Sequence, residues 1–188
     1  MDYLKYGWEV IKKDLVGWTI FSVVFAIAAS FGIGLFFMPN AIRATRKAVA
    51  AGTAPAVGEL FAFDRIADDA TAMVGVLVAH SIGASLCGLG IFASIPLMHF
   101  APYVVAEENY DGVGALKVSF EYGKANIGGV LGTVFVVGLL ANIAVYATCG
   151  LAGFFIPGLM LVAMDKYYLE HRQGILTAAQ MAQIPTRA

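Results

Sequence analysis

The residues that could do chemistry are few, and the first are two histidines inside an uncharged stretch, Ala70–Ala106. His80 lies well inside the first half of it, and His99 sits between Pro96 and Pro102. Ionisable groups at membrane depth are costly and often functional. A neutral imidazole can hold a metal, a haem or a chlorophyll-type pigment through one ring nitrogen. The commoner use is a hydrogen bond to a nearby hydroxyl or carbonyl, with Ser81 and Ser85 at hand for His80. Nineteen residues separate the two histidines, which is not a metal-ligand spacing. Glu107 and Glu108 close the same stretch as an acidic pair at its border. Such a pair could take a cation or a proton, although it is more often a solvated helix end. Ser30 and Thr19 have no base beside them, and no nucleophile–base pair, phosphate loop or metal cluster is visible.

Small and neutral polar residues carry more information. Gly128-Gly129, Gly132 and Gly138, with Ala141 and Ala144, lie in the uncharged stretch Ala125–Met164. Gly128-x-x-x-Gly132 is a close-packing spacing for membrane helices. Asn142, in the middle of the same segment, suits an interhelical hydrogen bond, and Asn126, Thr133, Thr148 and Tyr146 read in the same way. The face is expected to pack within the monomer or against another subunit. Cys87 and Cys149 lie beside glycines in apolar surroundings and are expected to be small buried packing residues.

The elements that must position these residues are membrane helices. The chain has 188 residues, 60% hydrophobic and 13% charged, and its mean hydropathy is +0.78. Soluble domains are about 25% charged, so the charged fraction points to a single membrane domain over 1–188. A net charge of -1 implies no nucleic-acid partner. A bilayer core needs about 20 helical residues. Ala125–Met164 can therefore cross twice, with breaks at Cys149-Gly150 and Ile156-Pro157.

In chain order, residues 1–14 read as an interfacial helix with Tyr3, Tyr6, Trp8 and Val10 on one face and lysines outside it. Residues 15–42 read as a first span, entered at Trp18. Residues 56–69 read as an amphipathic helix lying at the interface. A helix over about 71–92 and a kinked one over about 93–107 come after it. Another amphipathic segment covers 113–124, with Leu116, Val118, Phe120 and Tyr122 available to the interface. Helices over about 126–148 and 151–169 come next, then a polar tail, 170–188. No cleavable leader is expected, because Asp2 and Glu9 precede the first apolar run. Ile95-Pro96 and Ile156-Pro157 are 61 residues apart, and that offset relates a first unit, 56–108, to a second, 113–169. The expectation is an all-α polytopic bundle of about five spans, built from two hairpin-type repeats with interfacial amphipathic helices. Basic residues cluster in 40–69, 107–124 and the tail, which places these loops and the C-terminus in the cytoplasm of a bacterial cell with the protein in its inner membrane.

Several motifs together resemble a known family. They are Gly7-Trp8-Glu9, Gly52…Pro55…Gly58-Glu59-Leu60-Phe61, Ile95-Pro96, Ala106-Glu107-Glu108, Gly114-Ala115-Leu116-Lys117-Val118-Ser119, Cys149-Gly150, Ile156-Pro157 and Tyr167-Tyr168. The chain resembles a large prokaryotic family of small polytopic membrane proteins of unknown function, related to the membrane domain fused to some glycerophosphodiester phosphodiesterases. The resemblance implies an all-helical fold of roughly six spans and offers no catalytic residues. This chain departs from the pattern between Trp8 and Pro39, where it is shorter. The functional expectation is a non-catalytic scaffold or accessory subunit, a homo- or hetero-oligomer with the bilayer as its solvent and no cofactor. The alternatives are a small transporter or lipid-handling protein, and a pigment- or cofactor-carrying subunit using His80 or His99.

Overall fold

The computed structural model describes residues 2–85 and 90–187, and among them the architecture is all-helical. The helices are α1 (Asp2–Ile11), α2 (Leu15–Ser30), α3 (Met38–Ala51), α4 (Ile66–Ser85), α5 (Ile91–Met98), α6 (Ala101–Glu107), α7 (Gly112–Ala125), α8 (Ile127–Ala147) and α9 (Ile156–Met181). Short 3-10 turns cover Lys12–Asp14, Ile33–Leu35, Val57–Phe61 and Leu151–Phe154. Two compact units form: Met1–Phe63 with Val136–Tyr167, and Asp64–Phe135 with Tyr168–Ala188.

In the first unit, the uncharged segment 15–42 is not one span. Asp14 caps α2 by accepting a hydrogen bond from the Gly17 amide at 3.1 Å. The helix then stops at Phe31-Gly32, where Gly32 has φ +76°, a conformation that costs glycine nothing. Pro39 stands in the first turn of α3, a position that does not need its missing N–H. The chain returns on itself: Trp18 of α2 and Ala48 of α3 share one core with Ile11, Leu159 and Val162. Residues 15–42 therefore contain a turn and the start of a second helix. The 16 residues of α2 reach about 24 Å.

The expected helix over 56–69 is replaced by the 3-10 turn Val57–Phe61 and an extended Ala62. Asn40 explains this. Its Nδ2 donates to the carbonyls of Leu60, at 3.1 Å, and Ala62, at 2.6 Å. A side-chain amide has taken acceptors that a helix would have used. Arg43 in turn donates to Asn40 Oδ1 at 2.7 Å, and Lys47 pairs with Glu59.

In the second unit, α4 packs against α5, α6 and α7. Ser119, fully buried on α7, donates to the Leu97 carbonyl at 2.8 Å and accepts from the Phe100 amide at 3.1 Å. It thereby satisfies the break between α5 and α6 that Pro96 and Pro102 impose. Gly123 permits this packing. A Cβ there would lie 2.3 Å from the Pro96 carbonyl oxygen, so α7 lies directly on the backbone of α5. Val118 and Tyr122, expected at the interface, face the core instead, and Phe120 is left outside. The expected helix over about 151–169 and the first part of the tail form one element. The same α9 that starts at Ile156 runs on to Met181, with Ile175 and Ala179 buried.

The offset of 61 holds for the long helices, since α4 starts at Ile66 and α8 at Ile127. It does not hold for the preceding amphipathic elements or for proline position. Pro96 is inside α5, whereas Pro157 is in the first turn of α9.

Replacing Gly123 by alanine is expected to cost about 1–3 kcal/mol, because the clash is with backbone. Gly129→Ala meets nothing within 4 Å and is expected to be neutral or to stabilise by up to about 1 kcal/mol. Unfolding of the two variants in the same detergent, followed by circular dichroism, measures the difference.

Candidate functional site

Two constellations stand out, a set of paired charges and an open helix face. The paired charges begin with Glu108, at the C-terminal end of α6. Its side chain is buried and accepts three hydrogen bonds: from Tyr168 Oη at 2.7 Å, from Arg172 Nε at 2.6 Å, and from Arg172 Nη2 at 2.9 Å. The arginine fork is bidentate, the stronger geometry for a carboxylate. The Glu108 hydrogen bond and charge raise the Arg172 pKa above its already high ordinary value. Burial, with help from Glu108, raises that of the Tyr110 phenol. Aromatic rings pack around the clamp. Tyr103 stacks on Tyr168 with centroids 5.3 Å apart, and Phe100 meets Tyr122 edge-on at 5.3 Å.

Glu108 is thus not the solvated helix end that its position in the sequence suggests. Its partners lie more than fifty residues away, and no local pattern announces them. Glu107, beside it, is half-buried. Two further ties hold the same unit. Arg187 pairs with Asp68 at 2.5 Å, and Asn109 and Arg187 exchange hydrogen bonds at 2.8 and 3.0 Å. In the first unit the corresponding charge pair is Arg46–Asp165 at 2.6 Å, largely buried on both sides.

His80 and His99 belong to the second unit. His80 Nδ1 is 2.8 Å from the Val76 carbonyl one turn earlier, a local bond. His99 lies among rings, 5.1 Å from Phe100 and 5.9 Å from Tyr103 between centroids. Among the described residues no group of three or more histidines, cysteines or carboxylates could hold a metal. Cys149, expected to be buried, is exposed at the turn after α8, with φ +51° ahead of Gly150 at φ +91°. Cys87 lies outside the described residues.

The open face belongs to α8. Gly128, Gly132, Phe135, Leu139, Asn142 and Tyr146 recur at alternating intervals of four and three residues, and all are exposed. A Cβ at Gly128, Gly129, Gly132 or Gly138 would meet nothing within 4 Å. Asn142 donates from Nδ2 to the Gly138 carbonyl of its own helix at 2.8 Å. The glycine face that the sequence suggests is therefore open around each of these glycines. Only the narrow stripe Val130, Val137 and Ala141 is buried.

A shallow groove of about 130 Å³ opens in the first unit, lined mainly by alanines of α3 and by Thr53–Ala56, with the Lys47–Glu59 pair at its rim. No protein-family model, no curated protein and no solved structure matches this chain.

Arg172→Met leaves the buried Glu108 without its cation. Because Arg172 is half-exposed, the expected loss is about 1–3 kcal/mol rather than the full cost of a broken buried pair. The double variant Glu108→Gln with Arg172→Met is expected to recover part of it, and a double-mutant cycle of thermal unfolding in detergent measures the coupling.

Proposed function

We propose that this chain is a non-catalytic integral membrane protein that acts through helix–helix contacts, as a scaffold or accessory subunit of a larger membrane assembly. One observation carries the reading. Helix α8 is 21 residues long and free of charge, and only 17% of its most apolar window is buried. Phe135 is 58% and Tyr146 81% exposed on it. A core helix of a water-soluble protein hides such a surface, whereas lipid tails or a second membrane protein can cover it at no cost. Helix α4 has the length and composition to cross as well. The spans are α4 and α8, joined by α2 and by the proline-containing helices that turn back from each. Every such return leaves 52–65, 108–126 and the tail on the cytoplasmic side of a bacterial inner membrane. With α2 and α3 folded back on each other, the N-terminus joins them there, and its three lysines agree with the basic-residue rule. The layout suits the six-helix expectation of the family that the chain resembles, and we keep that relation as part of the proposal.

The open α8 face is the contact surface. Its glycines let another helix approach closely, and Asn142 offers a hydrogen bond to it. The paired charges serve packing inside the chain, and no step of a reaction is assigned to them.

The test is purification in a mild detergent, with co-purifying chains identified by mass spectrometry. Wild-type protein is expected to resist alkaline carbonate extraction and to carry a partner or a second copy. Gly128→Leu with Gly132→Leu is expected to lose that companion while unfolding at the wild-type temperature, since a Cβ at either position meets nothing within 4 Å and both positions are exposed. A lone wild-type monomer overturns the scaffold reading.

A further inference from the structure

Helices α1 and α7 carry the same nine-residue pattern. Leu4-Lys5-Tyr6-Gly7-Trp8-Glu9-Val10-Ile11-Lys12 aligns at an offset of 112 with Leu116-Lys117-Val118-Ser119-Phe120-Glu121-Tyr122-Gly123-Lys124. Leucine, both lysines and the glutamate are identical, and the aromatic position is kept. The structure extends the match beyond the letters. Glu9 pairs with Lys12 at 2.5 Å, and Glu121 with Lys124 at 2.8 Å, the same i, i+3 bridge. Lys5, Trp8 and Lys12 are exposed together, and so are Lys117, Phe120 and Lys124. Spacings of three and four residues put each set on one stripe of its helix. The opposite side is seated in the protein in both cases: Gly7 against Leu159 of α9, Gly123 against Pro96 and Leu97 of α5. The offset also extends past the two helices, because α2 begins at Leu15 and α8 at Ile127, again 112 residues apart.

We infer that α1 and α7 are two copies of one membrane-surface element, whose lysine–aromatic–lysine stripe binds the headgroup layer of an anionic leaflet. This rests on the proposed membrane reading and adds the lipid chemistry. Each nine-residue pattern ends three residues before an apolar helix begins, Lys12 before Leu15 and Lys124 before Ile127, so its outward stripe stands at headgroup level. The amphipathic ring of Trp8 prefers that depth, and Phe120 holds the same place in the second copy. Lysines on either side of it reach phosphates with flexible stems while their methylenes cover the ring's surroundings. Lys124 Nζ already lies 5.6 Å from the centre of the Phe120 ring. Lys5 and Lys117 make no ion pair among the described residues, so each keeps its charge for a partner. The partner must be negatively charged and must accept a half-buried ring, which describes an acidic phospholipid surface.

The test reads each stripe by tryptophan quenching in nanodiscs of phosphatidylcholine and phosphatidylglycerol, with bromine near the carboxyl end of the acyl chain on one lipid or the other. Wild type minus Trp8→Phe reports α1. Phe120→Trp in the Trp8→Phe background reports α7, so the buried Trp18 stays untouched. Brominated phosphatidylglycerol is expected to quench more than brominated phosphatidylcholine at equal fraction. The preference is expected to fall by about fivefold per lysine in Lys5→Gln with Lys12→Gln, or in Lys117→Gln with Lys124→Gln, and to shrink in high salt. Equal quenching by both lipids overturns the headgroup assignment. Quenching by aqueous iodide alone shows a solvated face, and protection from iodide and both lipids shows a protein partner; either result overturns it too. A chain released by carbonate and absent from nanodiscs overturns the membrane reading itself, a result distinct from these.

Discussion

Two carboxylates in this chain, Asp165 and Glu108, are buried with an arginine brought to each, and helix α9 supplies one partner of both pairs. Asp165 and Arg172 are seven residues apart, two turns of one helix, so they share a stripe with Tyr168 between them. The carboxylate takes Arg46 in one compact unit, and the guanidinium takes Glu108 in the other. Neither pair is a large net source of stability, since desolvation offsets most of the attraction. Their force lies in what happens when a partner is missing. A lone Glu108 among Phe100, Tyr103 and Tyr168 would be expensive, so the helix ends must arrive together.

Around these pairs, side-chain hydrogen bonds finish what the helices leave open. Asn40 closes the turn after α3, Ser119 bridges the α5–α6 break, and Ser22 accepts from the Gly158 amide at 2.9 Å near the start of α9. Prolines open these breaks, and a buried polar group from another helix meets the freed backbone. That division of labour lets short helices replace one continuous span while a side chain meets backbone groups at each of these three places.

Much of the architecture was legible in the sequence. Helix α8 begins within a residue of its expected position because charge stops at Lys124 and apolar residues run on without interruption. The glycine face was legible for the same reason: spacing alone defines it. The first turn was not, because Phe31–Phe37 is as apolar as the helices beside it, and only Gly32 hints at a reversal. The 56–69 segment misled because its amphipathic pattern is real, yet Asn40, far upstream, takes its carbonyls. Glu108 looked like a solvated end because its partners are remote in sequence. The repeat of α1 in α7 was present all along, at an offset of 112, hidden by the louder Ile-Pro match at 61.

The opposed signs on α9 have one more consequence. A helix of mostly apolar residues has little to stop it sliding along its neighbours, since one greasy contact resembles the next. Moving α9 by two turns would present Arg172 to Arg46 in place of Asp165, turning attraction into repulsion. The stripe therefore behaves as a keyed plug, which seats at one depth and is rejected at the next.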